Sequence, residues 1–163
     1  MVSSTQSDGG PNQRKQNRQN DLRDTSNQMV PAVDDSLLLY AELTPAEIRS
    51  IQRRLRAGRL KRIVPGVVTG LAEETWPSLV ARERIRILAA LYPKAVVGPR
   101  SAFHGGVPSE GVMYLTYSYT KKVELPGMTV QLLAGHGPAR GDAPMMGREL
   151  YFPSAPRVLL ENL

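Results

Sequence analysis

The residues best suited to chemistry are the arginines and lysines of one short segment. Residues 44–64 hold seven basic side chains and one acidic one, in a chain of 163 residues with a net charge of +6. The positive excess therefore lies mostly in this segment, a distribution typical of polyanion binders. Arginine guanidinium groups form paired hydrogen bonds with phosphates and with guanine edges. The segment thus predicts contact with nucleic acid.

A basic helix is predicted to begin at Thr44-Pro45-Ala46-Glu47. Threonine suits the N-cap, proline suits the first helical position, and glutamate three residues after the cap completes a capping box. Apolar residues follow at helical spacing, at Ile48, Ile51 and Leu55, and predict a buried stripe. Gly58 predicts the end of the helix. The arginines fall on other stripes, so the helix has a buried face and a basic face.

A basic hairpin is predicted next, over Arg59 to Val68, with Pro65-Gly66 as its turn. Ser36 can cap a further short helix over residues 37–40. The predicted order over residues 34–70 is therefore short helix, basic helix, tight turn and hairpin, which is typical of a winged helix-turn-helix. In that arrangement the basic helix enters the major groove of DNA and the hairpin contacts phosphates.

The predicted DNA-contacting side chains lie on the helix cap, on the basic helix and on the hairpin. They are Thr44, Glu47, Arg49, Ser50, Arg53, Arg54, Arg56, Arg59, Lys61 and Arg62. The first half of the helix, including Arg49 and Arg53, is expected to meet bases, and the hairpin residues are expected to meet the DNA backbone. An ordinary solvated basic face is the alternative interpretation. RNA is an alternative partner, although the aromatic platforms of single-strand binders are not evident.

Three segments follow from composition and pattern, and the predicted fold class is α+β. Residues 1–33 are rich in Ser, Gln, Asn, Asp and Gly and predict a disordered tail. Residues 34–70 form the predicted winged helix-turn-helix, and residues 71–163 a small mixed α/β lobe. The predicted elements of that lobe are a helix over Trp76–Leu91, a short helix at Ser101–His104, a helix opening at Ser154, a loop over Gly135–Met146, and strands at Ala95–Val97, Val112–Ser118, Met128–Ala134 and Leu150–Phe152.

The remaining polar residues predict no catalytic group, no cofactor and no metal. The chain has no cysteine and two histidines, too few for a zinc site. The glycine-rich stretch Gly135–Gly141 lacks the Lys-Ser or Lys-Thr of a phosphate loop. A nucleophilic serine needs a base and an orienting acid, and nothing in the sequence fixes that geometry for Ser101 and His104. Asp142 is expected to cap or brace a loop, and Arg157 to be a structural salt-bridge partner.

No apolar run approaches the roughly 20 residues that span a membrane, and the polar N-terminus lacks the core of a signal peptide. We therefore expect no membrane partner and a cytoplasmic location. Because winged-helix regulators often contact paired half-sites, a homodimer is one arrangement that the sequence allows.

Several segments together resemble a known family. The segment Leu55–Val67 is similar to the winged-helix opening of AbiEi-type antitoxins of type IV toxin–antitoxin systems. Further similar segments are Ser101-Ala102 leading to Gly105, Leu125–Gly127, Gly135–Pro138, Gly141-Asp142 and Ser154–Leu163, which look like the AbiEi-like region of some longer Fic-family proteins. The resemblance spans residues 36–163. It implies operator binding, repression of the chain's own operon and functional antagonism of a cognate toxin.

Two departures from this pattern matter. The Fic signature is absent, so no adenylyl transfer is implied. The chain also stops within a predicted helix, which leads to the hypothesis of an N-terminal piece of a longer protein, or of a shortened gene product, with a missing C-terminal domain. The alternative function is therefore a protein-interaction module in which residues 95–163 dock onto a partner or onto that domain. An enzyme fragment is a third hypothesis, disfavoured because no candidate catalytic group has its partners.

Overall fold

The first described elements form a small sheet beside one helix. The computed structural model describes residues 35–161, so the predicted tail of residues 1–33 lies outside them. Strand β1 (Leu38–Leu39) leads through a 3-10 turn (Tyr40–Glu42) into helix α1 (Pro45–Arg56). Strands β2 (Lys61–Val64) and β3 (Val67–Thr69) follow as a hairpin. Strand β3 lies between β1 and β2, and both pairings are antiparallel.

The predicted short helix over residues 37–40 is wrong. Leu38 and Leu39 form a strand that pairs with Val68 and Val67 of β3. Both leucines are buried although they point to opposite faces of the sheet, and apolar residues buried on both faces favour a strand. Residues 35–70 of the structure therefore contain a single α-helix followed by a hairpin.

The rest of the described chain contains a long helix, two short helices and a six-stranded mixed sheet. Helix α2 (Trp76–Leu91) follows a 3-10 turn (Glu73–Thr75). The later elements are strand β4 (Ala95–Val97), helix α3 (Pro99–Phe103), strands β5 (Val112–Tyr117), β6 (Lys121–Leu125), β7 (Met128–Ala134) and β8 (Ala143–Pro144), a 3-10 turn (Met145–Gly147), strand β9 (Leu150–Phe152) and helix α4 (Ala155–Glu161). The strand order is β6-β7-β5-β4-β9-β8. Pairs β5/β7 and β4/β9 are parallel, and the other pairs are antiparallel.

This arrangement confirms the α+β class, with four α-helices and two sheets in residues 35–161. It confirms the predicted helices over residues 45–56 and 76–91, and strands β4, β5, β7 and β9. Two strands were not predicted in addition to β1. Strand β6 pairs with β7 through the turn Pro126-Gly127. The two-residue strand β8 lies in the segment predicted as a loop.

The three-stranded sheet lies between α1 and the main core. Alternate residues of its strands point to opposite faces. Leu38 and Val68 pack with Ile51 of α1. Leu39 and Val67 instead join the main core, which also takes residues of α2 and the inner face of the six-stranded sheet. The predicted segments 34–70 and 71–163 therefore share one core. Each helix of the described residues is too short or too polar to cross a membrane.

Candidate nucleic-acid interface

Local capping fixes where helix α1 begins. The Thr44 backbone N–H donates to a Glu47 carboxylate oxygen over 2.7 Å, and the Thr44 hydroxyl donates to the same carboxylate over 2.7 Å. The Glu47 backbone N–H donates back to the Thr44 hydroxyl oxygen over 3.4 Å. The predicted capping box is thus confirmed. The hydrogen bonds from Thr44 hold the pKa of Glu47 below its ordinary value, so the carboxylate is charged at neutral pH.

The buried stripe of α1 turns its arginines towards solvent. Ile51 is 4% exposed and packs against Leu60 of the segment that leads into the hairpin. With 3.6 residues per turn, Arg49, Arg53 and Arg56 fall within an arc of about 60°, on the side away from Ile51. All three are exposed. The helix therefore presents one arginine face to solvent, on the side opposite the core.

Within residues 44–64, five exposed arginines have no hydrogen bond or ion pair from their guanidinium groups to any part of residues 35–161. They are Arg49, Arg53 and Arg56 of α1, Arg59 of the connecting turn and Arg62 of β2. Because no carboxylate of the described chain neutralises them, their charge is available to a ligand. We call this group the free-arginine surface.

Four of the predicted contact residues instead have partners within the chain. Thr44 and Glu47 form the capping box described above. Arg54 forms an ion pair with Asp35 and is partly buried. Lys61 lies 2.8 Å from a Glu73 carboxylate oxygen, and this contact raises the pKa of the lysine. These side chains position α1 and the hairpin, and their charge is compensated. No local pattern in the sequence signals either acidic partner, because each lies 12 or more residues away.

Ser50, the last predicted contact residue, lies beside the end of the free-arginine surface. It lines an open depression together with Arg53, Arg54, Ala57 and Arg59. This depression joins the helix to the start of the hairpin. Backbone turn geometry there depends on Gly58, whose φ of +69° favours glycine and lets the chain reverse after α1.

The other sequence candidates have structural roles. The Ser101 hydroxyl oxygen is buried and accepts a hydrogen bond of 2.8 Å from the Tyr114 backbone N–H, whereas His104 is exposed. The Asp142 carboxylate lies 2.6 Å from Arg157 and also accepts from the backbone N–H groups of Ala139 and Ser154. The expected loop brace and salt-bridge partner are therefore confirmed. Residues 35–161 hold no cluster of three or more acidic or histidine side chains suited to a metal.

Comparison with protein-family models, with curated proteins and with solved structures gave no match to this chain.

Proposed function

We propose that this chain is a DNA-binding regulator of the antitoxin type, which binds duplex DNA through the free-arginine surface. The single observation that carries the proposal is the set of five exposed, uncompensated arginines on one helix and the adjoining hairpin. In an ordinary solvated surface, basic and acidic side chains are interspersed. In α1 the acidic residue, Glu47, forms the capping box with Thr44 at the start of the helix.

The dimensions of α1 suit the major groove. Its 12 residues extend about 18 Å, and the groove admits one α-helix. Among residues 35–161 the exposed arginine face of α1 is turned away from the core, because the three-stranded sheet covers the opposite face. Helix α1 followed directly by a hairpin would act as a reduced winged helix, with the hairpin as the wing. Arg49 and Arg53 would contact base edges, and Arg59 and Arg62 would contact phosphates.

The experiment that tests this function is an electrophoretic mobility shift with the chain's own upstream promoter DNA against a scrambled duplex of equal length. We expect specific retention of the promoter duplex that weakens with added salt, because counterions are released from DNA on binding. Equal retention of both duplexes would mean that the chain binds polyanions without sequence preference, which contradicts a regulator. No retention of either would contradict it.

Replacement of Arg49 and Arg53 together by alanine tests the base contacts. Each paired contact to a base is worth about 1–3 kcal/mol of discrimination. We expect the variant to lose most of its preference for the promoter duplex, and unchanged affinity would contradict the assignment. A matched control replaces Lys121 and Arg140, which are exposed and lie outside the free-arginine surface. The control removes the same charge and is expected to keep the preference.

A second candidate function, a protein-interaction module, is favoured by a different surface. Leu159 and Leu160 of α4 are 70% and 72% exposed, and adjacent exposed leucines on a helix are typical of partner contacts. Sedimentation of the chain over a range of concentrations tests for self-association through this surface. If both the wild type and the Leu160→Asp variant sediment as monomers at every concentration, self-association does not explain why Leu159 and Leu160 are exposed.

A further inference from the structure

A ligand-sized cavity lies between helices α3 and α4, outside the free-arginine surface. Its volume is about 580 Å³, within the range of about 300–1,000 Å³ for small-molecule sites. We call it the α3–α4 cavity. Its lining residues are Arg100, Phe103, His104, Ser109, Glu110, Val112, Tyr114, Val158 and Leu159. Apolar side chains thus supply much of the wall, and a few polar groups converge on it.

Arg100 is the principal cation of this cavity, and a tyrosine ring holds it. Its guanidinium carbon lies 5.4 Å from the centre of the Tyr114 ring, a cation–π contact. Within residues 35–161 no carboxylate forms an ion pair with Arg100. Its hydrogen-bonding groups are therefore available to an anionic ligand, and a guanidinium offers two parallel donors to a carboxylate.

The wall that carries Arg100 is fixed before any ligand binds. Helix α3 is attached to both backbone groups of Tyr114, because Gly98 N–H donates to the Tyr114 carbonyl over 2.8 Å and the Ser101 hydroxyl accepts from the Tyr114 N–H over 2.8 Å. Arg100 lies between these two attachment points in the sequence. These bonds fix the backbone that carries Arg100, and the Tyr114 ring packs against its guanidinium group, so less conformational entropy is lost when the group binds a ligand.

The opposite wall is fixed in a similar way. Val158 and Leu159 belong to α4, which is anchored by the nearly buried Arg157. Arg157 donates to Asp142 and also to the backbone carbonyls of His136 and Gly137. The apolar surface that faces α3 is therefore supported by an ion pair whose two side chains are 11% and 0% exposed.

A tight turn lines one end of the cavity. Ser109 and Val112 exchange two backbone hydrogen bonds of 3.0 and 2.9 Å around Glu110 and Gly111. Both central residues have positive φ, +51° at Glu110 and +75° at Gly111. A glutamate in this conformation is strained, and such residues cluster at functional sites. Glu110 gives this end of the cavity a negative charge, so an anionic group would lie towards Arg100.

We propose that the α3–α4 cavity binds a small organic anion with an aromatic or branched apolar body. The carboxylate of the ligand would accept the paired hydrogen bonds of Arg100. Its apolar body would pack against Val112, Val158 and Leu159. Cations are disfavoured at Arg100, and purely polar anions would leave the apolar walls unfilled.

The test uses the full chain, labelled for two-dimensional NMR and titrated with 3-phenylpropionate. The matched probe is 3-phenylpropylamine, which has the same apolar body and the opposite charge. We expect shifts of the backbone signals of Arg100, Val112, Tyr114 and Leu159 with the carboxylate. We expect the amine to bind about tenfold or more weakly, because a hydrogen bond to a charged group is worth about 1.5–3 kcal/mol.

Two pairs of variants distinguish binding in the α3–α4 cavity from non-specific binding. Arg100→Gln is expected to weaken carboxylate binding about tenfold, and Arg140→Gln, which removes an exposed arginine elsewhere, is expected to leave it unchanged. Leu159→Asp places a carboxylate on the opposite wall and is expected to weaken binding, whereas Leu160→Asp, outside the lining, is not. Since both leucines are largely exposed, neither change should unfold the chain.

Three results would overturn the proposal. The first is equal affinity for the carboxylate and the amine. The second is unchanged binding in a folded Arg100→Gln variant. The third is the absence of any shift at the cavity residues up to the solubility limit of the carboxylate.

Discussion

Replacing Arg59 and Arg62 together by glutamine is expected to flatten the salt dependence of DNA binding. The two guanidinium groups are exposed and have no partner within residues 35–161, so their charge is available to phosphates. Each phosphate neutralised contributes about −0.9 to the slope of log affinity against log salt concentration. Loss of both contacts should therefore make the slope shallower by about 1.8.

The consequence is large enough to measure by fluorescence anisotropy of a labelled duplex. Between about 50 and 200 mM salt, the affinity of the double variant should fall roughly twelvefold less than that of the wild type. The loss should be the same on promoter and scrambled duplexes, because phosphates carry no sequence information. The variant's free energy of unfolding should change by less than about 0.5 kcal/mol, since both side chains lie on the surface.

The matched control is again the Lys121→Gln/Arg140→Gln variant, which changes net charge equally at other exposed positions. Its slope is expected to equal that of the wild type. An unchanged slope for the Arg59/Arg62 variant would refute the assignment of the hairpin to phosphates. Equal flattening in both variants would mean that net charge, and not the free-arginine surface, determines binding.

Three further predictions concern stability and are checked by urea denaturation. Thr44→Ala should cost about 1 kcal/mol through loss of the cap of α1, whereas Ser50→Ala on the same helix should cost less than half of that. Burial raises the pKa of Asp142, but the hydrogen bonds from Ala139, Ser154 and Arg157 outweigh it, so the pKa is lowered. Asp142→Asn should therefore cost about 2–4 kcal/mol near neutral pH. That difference should shrink as the pH falls below the ordinary aspartate value of about 4, and a constant cost would contradict it. Glu42→Gln should cost about 1 kcal/mol, because it removes the carboxylate that joins Arg86 to Arg148, and an unchanged urea midpoint would contradict this.

Local signals predicted the helix of the candidate site correctly, because its start depends on neighbours in sequence. The capping box uses residues three positions apart, and the apolar stripe at Ile51 and Leu55 follows the helical period. The turn at Pro65-Gly66 is equally local, since glycine adopts the φ of +88° that this turn requires. The position of the arginine face on α1 itself follows from these local features.

Features that depend on distant residues were missed. The segment Leu37–Tyr40 carries a helix-like N-cap signal, yet pairing with Val67 and Val68 makes Leu38 and Leu39 a strand. The acidic partners of Arg54 and Lys61 are distant in the sequence and could not be predicted for the same reason. Two of the ten predicted contact residues therefore form ion pairs within the chain. The missed strand β6 did carry a signal, the Pro126-Gly127 turn before a predicted strand.

The free-arginine surface depends on the rest of the molecule for its orientation. The three-stranded sheet contacts α1 through one face and the main core through the other, where Leu39 and Val67 are 1% and 0% exposed. Burying each of these two side chains stabilises the fold by about 1.5–3 kcal/mol. Residues 35–70 on their own would expose this face of the sheet to water and would lose that stabilisation. Glu42 adds a second connection, because it lies 2.6 Å from Arg86 of α2 and 2.8 Å from Arg148 near β9. Since Glu42 ends the turn that leads into α1, the β-rich part of the chain helps to set the orientation of the arginine face, and with it the angle at which that face would meet DNA in the proposed complex.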